Sequence, residues 1–265
     1  MEVTSIGLRT DLMLIAWDGV VDEIDGVIRA RTPSNPNFYF GNFVLFPGAP
    51  GRGDAVAWTA RFGTAFRDDP RVHHVCLRWD CTDGRRGDLS ELEQSGFTIE
   101  ETVVLTTSKP RPPPRIDADA TLRRIVSNAD WAAVADLQAA TMTEQYGAGG
   151  GVFARSQVAR FRHFVDAGRG AWFGAFHGDA LAADMGVFVE AGLGRFQAVE
   201  TAAFARRRGL CGTLAYHAAQ AALLELGAKT LVMVGLPDHT AQIYASVGFT
   251  PCERLVAAYR GPPTH

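Results

Sequence analysis

Lysine is nearly missing from this 265-residue chain: Lys109 and Lys229 are the only two among 26 basic residues, and the other 24 are arginine. That skew reads as the GC-rich coding bias of some bacteria rather than as a functional device. Cysteine is scarce and scattered. Cys76, Cys81, Cys211 and Cys252 form no C-x-x-C pair and no dense framework, so reduced thiols in a cytoplasmic protein are expected. No apolar run reaches the roughly 18 residues of a membrane span, and no basic-then-apolar leader opens the chain. A soluble protein with no membrane partner follows as the expectation. A formal charge of −3 and a pI near 6.2 supply no basic field, which argues against nucleic acid as a partner. The adjacent His73 and His74 would point to opposite faces of a strand, with no third ligand nearby, so no metal site is expected. There is neither a G-x-S-x-G nucleophile elbow nor a Gly-Lys-Ser/Thr phosphate loop.

What is present is apolar material for two cores, at 47% hydrophobic and 10% aromatic residues. Between them lies Ser108-Lys-Pro-Arg-Pro-Pro-Pro-Arg115, with four prolines in five positions, through which neither helix nor central strand can run. The chain therefore divides into residues 1–108, a linker at 109–120, and residues 121–265. In the second part, Thr121–Val126 reads as a strand. Ser127-Asn-Ala-Asp130 starts a helix in capping-box style, with Trp131, Val134 and Leu137 at helical spacing. A second helix carries Val158, Phe161 and Val165. Strands follow at 171–176, 181–189 and 195–199, then a helix at about 212–226, a strand at 230–234, a helix at about 239–246 and a closing strand at 253–259. The order β-α-α-β-β-β-α-β-α-β predicts a mixed α/β sheet with helices on both faces.

The first 108 residues repeat the end of that plan. Val72–Trp79 corresponds to the strand at 230–234, and the Ser-Gly-Phe turn ending at Phe97 corresponds to Ser246-Val-Gly-Phe249. Thr98–Thr106 then matches the closing strand. Two readings stand: a duplication, or two unrelated α/β domains. Trp58, Phe62 and Phe66 form a core stripe at spacing four. Asn35–Phe43, rich in amides and aromatics, is either a packed loop or a pocket lining.

The segment Phe196–Leu214 runs from a strand through a glycine-containing turn into a helix. Amides at such a helix start have no intrahelical partner and face the positive end of its dipole, which makes a socket for an anion such as a diphosphate. Gly209 and Gly212 allow close approach, and Arg206, Arg207 and Arg208 add charge at the rim. A basic loop with a glycine cap is the plainer alternative.

Arg206-x-x-Gly209-x-Cys211, followed by Gly212, resembles the acetyl-CoA-binding turn of the GCN5-related N-acetyltransferase (GNAT) superfamily, with Cys211 where glycine or alanine is usual. Tyr244-Ala-Ser-Val-Gly248-Phe249 resembles the family's second motif, in the right order. The resemblance implies two tandem GNAT-like domains, the N-terminal one degenerate and without cofactor, supporting the acceptor pocket of the other. It implies an N-acetyltransferase that moves an acetyl group from acetyl-CoA to a primary amine of a small molecule or peptide, as monomer or homodimer. The diphosphate would rest on the segment Arg207, Arg208, Gly209, Leu210, Cys211, Gly212 and Thr213, beside Arg206. The pantetheine arm would pair with Val199, Glu200 and Thr201. The family often has asparagine seven residues before the tyrosine; here Pro237 stands there, with Asp238 beside it as the cofactor contact. Glu200 would be the base, against the alternative of an exposed strand carboxylate, and Tyr244 the acid for the leaving thiolate, against a packing role. A catalytically silent acyl-CoA-binding module and a nucleotide-binding protein remain as other readings. Acceptor choice would fall to Thr141–Gly151, whose glycines suggest a mobile flap, and to Gly186–Gly194.

Overall fold

A computed structural model of the chain describes residues 1–236 and 240–262. The first half contains α1 (Ile6–Ala16), β1 (Val20–Ile24), β2 (Val27–Arg31), β3 (Phe43–Phe46), α2 (Asp54–Ala65), β4 (Val75–Trp79), α3 (Ser90–Gln94) and β5 (Thr98–Thr107). Then come β6 (Thr121–Arg124), α4 (Asn128–Tyr146), α5 (Ala148–Asp166), β7 (Gly170–His177), β8 (Ala180–Glu190) and β9 (Leu193–Thr201). The chain closes with α6 (Leu210–Leu224), β10 (Thr230–Gly235), α7 (Thr240–Ser246) and β11 (Thr250–Arg260). The mixed α/β class read from the sequence is the class observed. No helix among the described residues is long and apolar enough to cross a membrane.

By contacts the chain forms two compact units, one of Met1–Val104 with the stretch from Cys252 onward, the other of Leu105–Met233 with the segment ending at Pro251. In the first unit the strand order is β1-β2-β3-β4-β11-β5. The β1–β2 hairpin turns on Asp25 and Gly26, both at positive φ, which matches strand twist. β3 and β4 are parallel, and α2 packs against both. Trp58 of α2 stacks on Phe46 at 3.7 Å between centroids, and Phe62 is buried one turn on, as the stripe at spacing four requires. The closing strand, which the sequence groups with the second part, pairs antiparallel with β4. Its Glu253 carboxylate accepts from the Ile6 and Gly7 amides and the Ser5 hydroxyl, capping α1 from 246 to 248 positions away. Ser5 is also a local cap, its hydroxyl accepting from the Leu8 amide at 3.1 Å, a signal that the sequence reading did not take up. Asn35–Phe43 is a packed loop: the Asn42 side chain accepts from the Thr32 amide and donates to the Asn35 and Phe38 carbonyls.

In the second unit the order is β6-β7-β8-β9-β10, antiparallel except for the β9–β10 pair. Trp172 of β7 meets Trp131 of α4 and Phe161 of α5, while the next residue, Phe173, meets His217 of α6. Successive strand side chains point to opposite faces, so α4 and α5 cover one face and α6 the other. Trp172 and Phe188 are fully buried, each contributing roughly 1.5–3 kcal/mol of burial free energy. Ser127 caps α4 with the reciprocal Asp130 box expected. The glycine stretch expected as a mobile flap is helical: α4 runs to Tyr146 and α5 begins at Ala148. Gly150 and Gly151 serve packing, since a Cβ would stand 2.3 Å from the Met142 carbonyl oxygen on the first and 2.3 Å from Thr143 Oγ1 on the second.

The turns that suggested a repeat close alike. Phe97 N donates to Leu92 O and Phe249 N to Tyr244 O, both at 3.0 Å, and Gly96 and Gly248 take positive φ. Both are Schellman-type helix ends.

Candidate functional site

The site begins with an irregularity in β9. Along β8, Asp184 pairs with Glu200 and Gly186 with Gln197, so Ala198 and Val199 together oppose Met185. This is a β-bulge, and Ala198 takes a left-handed φ of 48° within it. On the opposite edge, β10 pairs with β9 only from Leu193 to Arg195. Beyond Arg195, β9 has no ladder partner on the β10 side. The bulge lets the strands part, leaving Val199, Glu200 and Thr201 on an open edge.

After β9 the chain turns into α6. Arg207 has φ 64° and Gly209, the residue before the helix, φ 85°. The amides of Arg207 through Gly212 donate to no acceptor among the described residues, whereas the Thr213 amide already donates to Gly209 O. The Thr213 hydroxyl is also engaged, with Gly209 O and the Asp117 amide, and its side chain is buried. The Thr213 side chain therefore braces the turn. Linker residues, unmarked in the sequence reading, support the turn from behind. Arg115 donates to Arg207 O at 2.8 Å, and a Cβ on Gly209 would meet Arg115 O at 2.7 Å.

These parts enclose a cleft of about 520 Å³. It is lined by Val199, Glu200 and Thr201, by Ala205, Arg206 and Arg207, by Gly209, Leu210, Cys211 and Gly212, and by Ile243 and Tyr244 of α7. Ten of these twelve are residues singled out from the sequence; Ala205 and Ile243 are additions, apolar positions that no motif marks. Arg208 is exposed and outside the lining, and Asp238 lies outside the described residues. Arg206 donates to Thr201 O at 3.2 Å, tying the basic rim to the end of β9.

The electrostatics follow from burial. Desolvation raises the Glu200 carboxyl above its usual range, with Arg206 and a hydrogen bond from Thr141 pulling the other way. Burial pushes the Cys211 thiol up to about 12. Tyr244 is 3% exposed, and burial, then the charges of Cys211 and Glu200, hold its hydroxyl well above the ordinary tyrosine value. The Tyr244 hydroxyl and the Cys211 thiol interact at the cleft wall, cysteine standing where the resembled turn has glycine or alanine. A half-buried carboxylate that binds its proton more tightly than usual and a hydroxyl that keeps its own thus line one cleft.

Other clusters are structural. His74 stacks on Tyr39 at 4.2 Å with its Nε2 against the Asn42 carbonyl. No group of three or more His, Cys, Asp and Glu among the described residues is arranged to hold a metal ion. The start of α2 differs from that of α6. Asp54 stands in its first turn, and its carboxylate accepts from the Gly51 amide at 2.7 Å, so the helix mouth supplies its own anion. The strands there stay joined, with Asp80 N donating to Phe46 O past the end of β3.

No family model matches the chain, and no curated protein matches it. Solved structures do. A conserved protein of unknown function from Staphylococcus epidermidis aligns over 93% of this chain and 95% of its own, at 12% identity and a TM-score of 0.70. A GCN5-related N-acetyltransferase from Kribbella flavida aligns over 99% and 97%, at 16% identity and a TM-score of 0.63. A tandem GNAT protein from the clavulanic acid biosynthesis pathway aligns over 98% and 95%, at 17% identity and a TM-score of 0.54. With alignments that span both units, this chain has the fold of the GCN5-related N-acetyltransferase superfamily.

Proposed function

We propose that the chain is an N-acetyltransferase acting on a primary amine of a small molecule or peptide, with acetyl-CoA as donor. One observation carries the reading: an unpartnered β9 edge, the free amides at the mouth of α6, Glu200 and Tyr244 all open onto a single cleft. The free amides and Arg206 and Arg207 suit a diphosphate, since unpaired N–H groups at a helix start favour anions. The open edge of β9 at Val199–Thr201 suits the amide-bearing pantetheine arm, which can hydrogen-bond an open strand edge as another strand would. Bound there, acetyl-CoA supplies an activated acyl carbon and a thiolate leaving group. Glu200 accepts the proton that the incoming ammonium must shed before nitrogen can attack. Tyr244, kept protonated by its surroundings, gives up its hydroxyl proton as the carbon–sulfur bond breaks, and the phenolate so formed takes the second proton that nitrogen sheds on becoming an amide. We assign this chemistry to 121–265 and leave 1–108 without cofactor, consistent with the acid at the mouth of α2.

Thiol release from acetyl-CoA, followed across a panel of amines, tests the reading. Turnover is expected with at least one amine. Glu200→Gln and Tyr244→Phe should each lower kcat on the order of 100-fold, the lower end of the range for positioned acid–base groups. Binding of acetyl-CoA with no turnover on any amine would identify a silent binding module instead. Wild-type rates in both variants would refute the two assignments.

A further inference from the structure

The bulge in β9 needs an explanation that the chain next to it does not give. A left-handed alanine costs roughly 1–2 kcal/mol, and such a conformation persists only where the surroundings over-determine it. At Ala198 one side chain holds the carbonyl. Gln138 of α4 is 5% exposed, and its Nε2 donates to Ala198 O at 2.8 Å and to Asp184 Oδ1 at 2.9 Å. Both hydrogens of one amide group are thereby spent, one on each of two adjacent strands. The Asp184 carboxyl is fully buried, and the same oxygen accepts from Trp172 Nε1 at 2.9 Å, which fixes its orientation. Asp184 stands opposite Glu200 in the ladder. A buried amide bridging a helix, a strand and the bulged carbonyl of the next strand is a clasp on the one segment of β9 that lines the cleft.

We infer that Gln138, seated on Asp184 and Trp172, is a positioning residue that holds the bulge at Ala198 and so sets the β9 edge against which the pantetheine arm pairs. The inference rests on the acyl-CoA reading of the cleft. It separates the two halves of the ligand site: the clasp acts on Val199–Thr201, whereas the amides at the mouth of α6 are braced by Arg115 and Thr213. Loss of the clasp should weaken the pantetheine half and spare the phosphate half.

Calorimetric titration of two ligands, coenzyme A and adenosine 3′,5′-bisphosphate, into the wild type, Gln138→Met and Trp172→Phe tests this. The bisphosphate carries adenosine and phosphates without the pantetheine arm. Gln138→Met keeps the volume and removes the bridge; it should weaken coenzyme A about tenfold and leave the bisphosphate within about twofold of wild type. Trp172→Phe removes one donor to Asp184 and leaves the bridge, so its selective loss should be smaller, about threefold. A wild type that binds coenzyme A while Gln138→Met binds it equally well overturns the inference, as does an equal loss of both ligands, which would mark a purely structural role. If Gln138→Met does not fold, Trp172→Phe decides by the same ratio: a loss confined to coenzyme A supports the clasp, and equal or absent losses overturn it. A wild type that binds neither ligand sinks the acyl-CoA reading itself.

Discussion

Burial decides what Glu200 and Asp184 can do, and it acts on them differently. Glu200 opens onto the cleft, where partial desolvation raises its proton affinity while Arg206 keeps it ionisable. The acid limb of the pH–rate profile should therefore lie above the ordinary carboxylate range, and Glu200→Gln should abolish that limb; a limb unchanged in the variant would assign the base elsewhere. Asp184 is sealed, and burial raises its carboxyl to about 8. Between the ordinary value near 3.8 and about 8, the folded state then holds a proton that the unfolded state has released. Stability contributed by this group is full below that window and is lost as pH rises through it, with a slope of at most ~1.4 kcal/mol per pH unit. Asp184→Asn keeps an oxygen for Gln138 and Trp172 and cannot ionise. Urea unfolding from pH 4 to 9 should show the variant gaining on the wild type as pH rises, with no gap at the acid end. Parallel curves would contradict the assignment. Glu200 could be read from sequence because a motif lay beside it; Asp184 could not, because nothing local distinguishes a buried aspartate from a surface one.

At the scale of elements, the sequence was legible where the cause of a structure is local. Ser127 and Asp130 announced the start of α4, and Ser127→Ala should cost about 1 kcal/mol in chemical denaturation, with no effect on acetyl-CoA binding. Gly209 announced the mouth of α6. Gly209→Ala would put a side chain at φ 85° and 2.7 Å from Arg115 O, so a loss of roughly 1–2 kcal/mol or more and weakened acetyl-CoA binding are expected together; wild-type affinity in this variant would show that the turn does not form the site. Elsewhere the cause is distant and the reading failed. The bulge that opens β9 falls on an alanine, a residue type that gives no sign of a left-handed backbone, and the group that holds it is 60 positions away. The glycines at 147–151 suggested mobility, because composition alone does not distinguish a glycine that frees the backbone from those, such as Gly150 and Gly151, that let two helices touch.

For the molecule as a whole, the succession of elements along the second part was legible and ownership of its last strand was not. Periodicity identifies the closing strand as apolar and extended but carries no record of its neighbour. In the structure β11 lies between β4 and β5 in the sheet of the first unit. A fragment of residues 121–265 would carry β11 without β4, with an exposed apolar edge prone to association. Such a fragment should aggregate or show a molten near-ultraviolet circular dichroism spectrum, and a well-folded monomer would contradict this account of the strand. The tandem plan was visible because both helix ends before a final strand use the same left-handed glycine, Gly96 and Gly248, a local device repeated at corresponding places.

The claim on which the rest depends is that the cleft between the β9 edge and the α6 mouth holds an acyl-CoA. Titration calorimetry of acetyl-CoA into the intact chain, with ATP as comparison, tests it most directly. The account predicts one acetyl-CoA per chain, displaced by coenzyme A and weakened by salt as phosphate contacts require, with ATP failing to compete. No binding of acetyl-CoA, or equal binding of ATP at the same site, would contradict it.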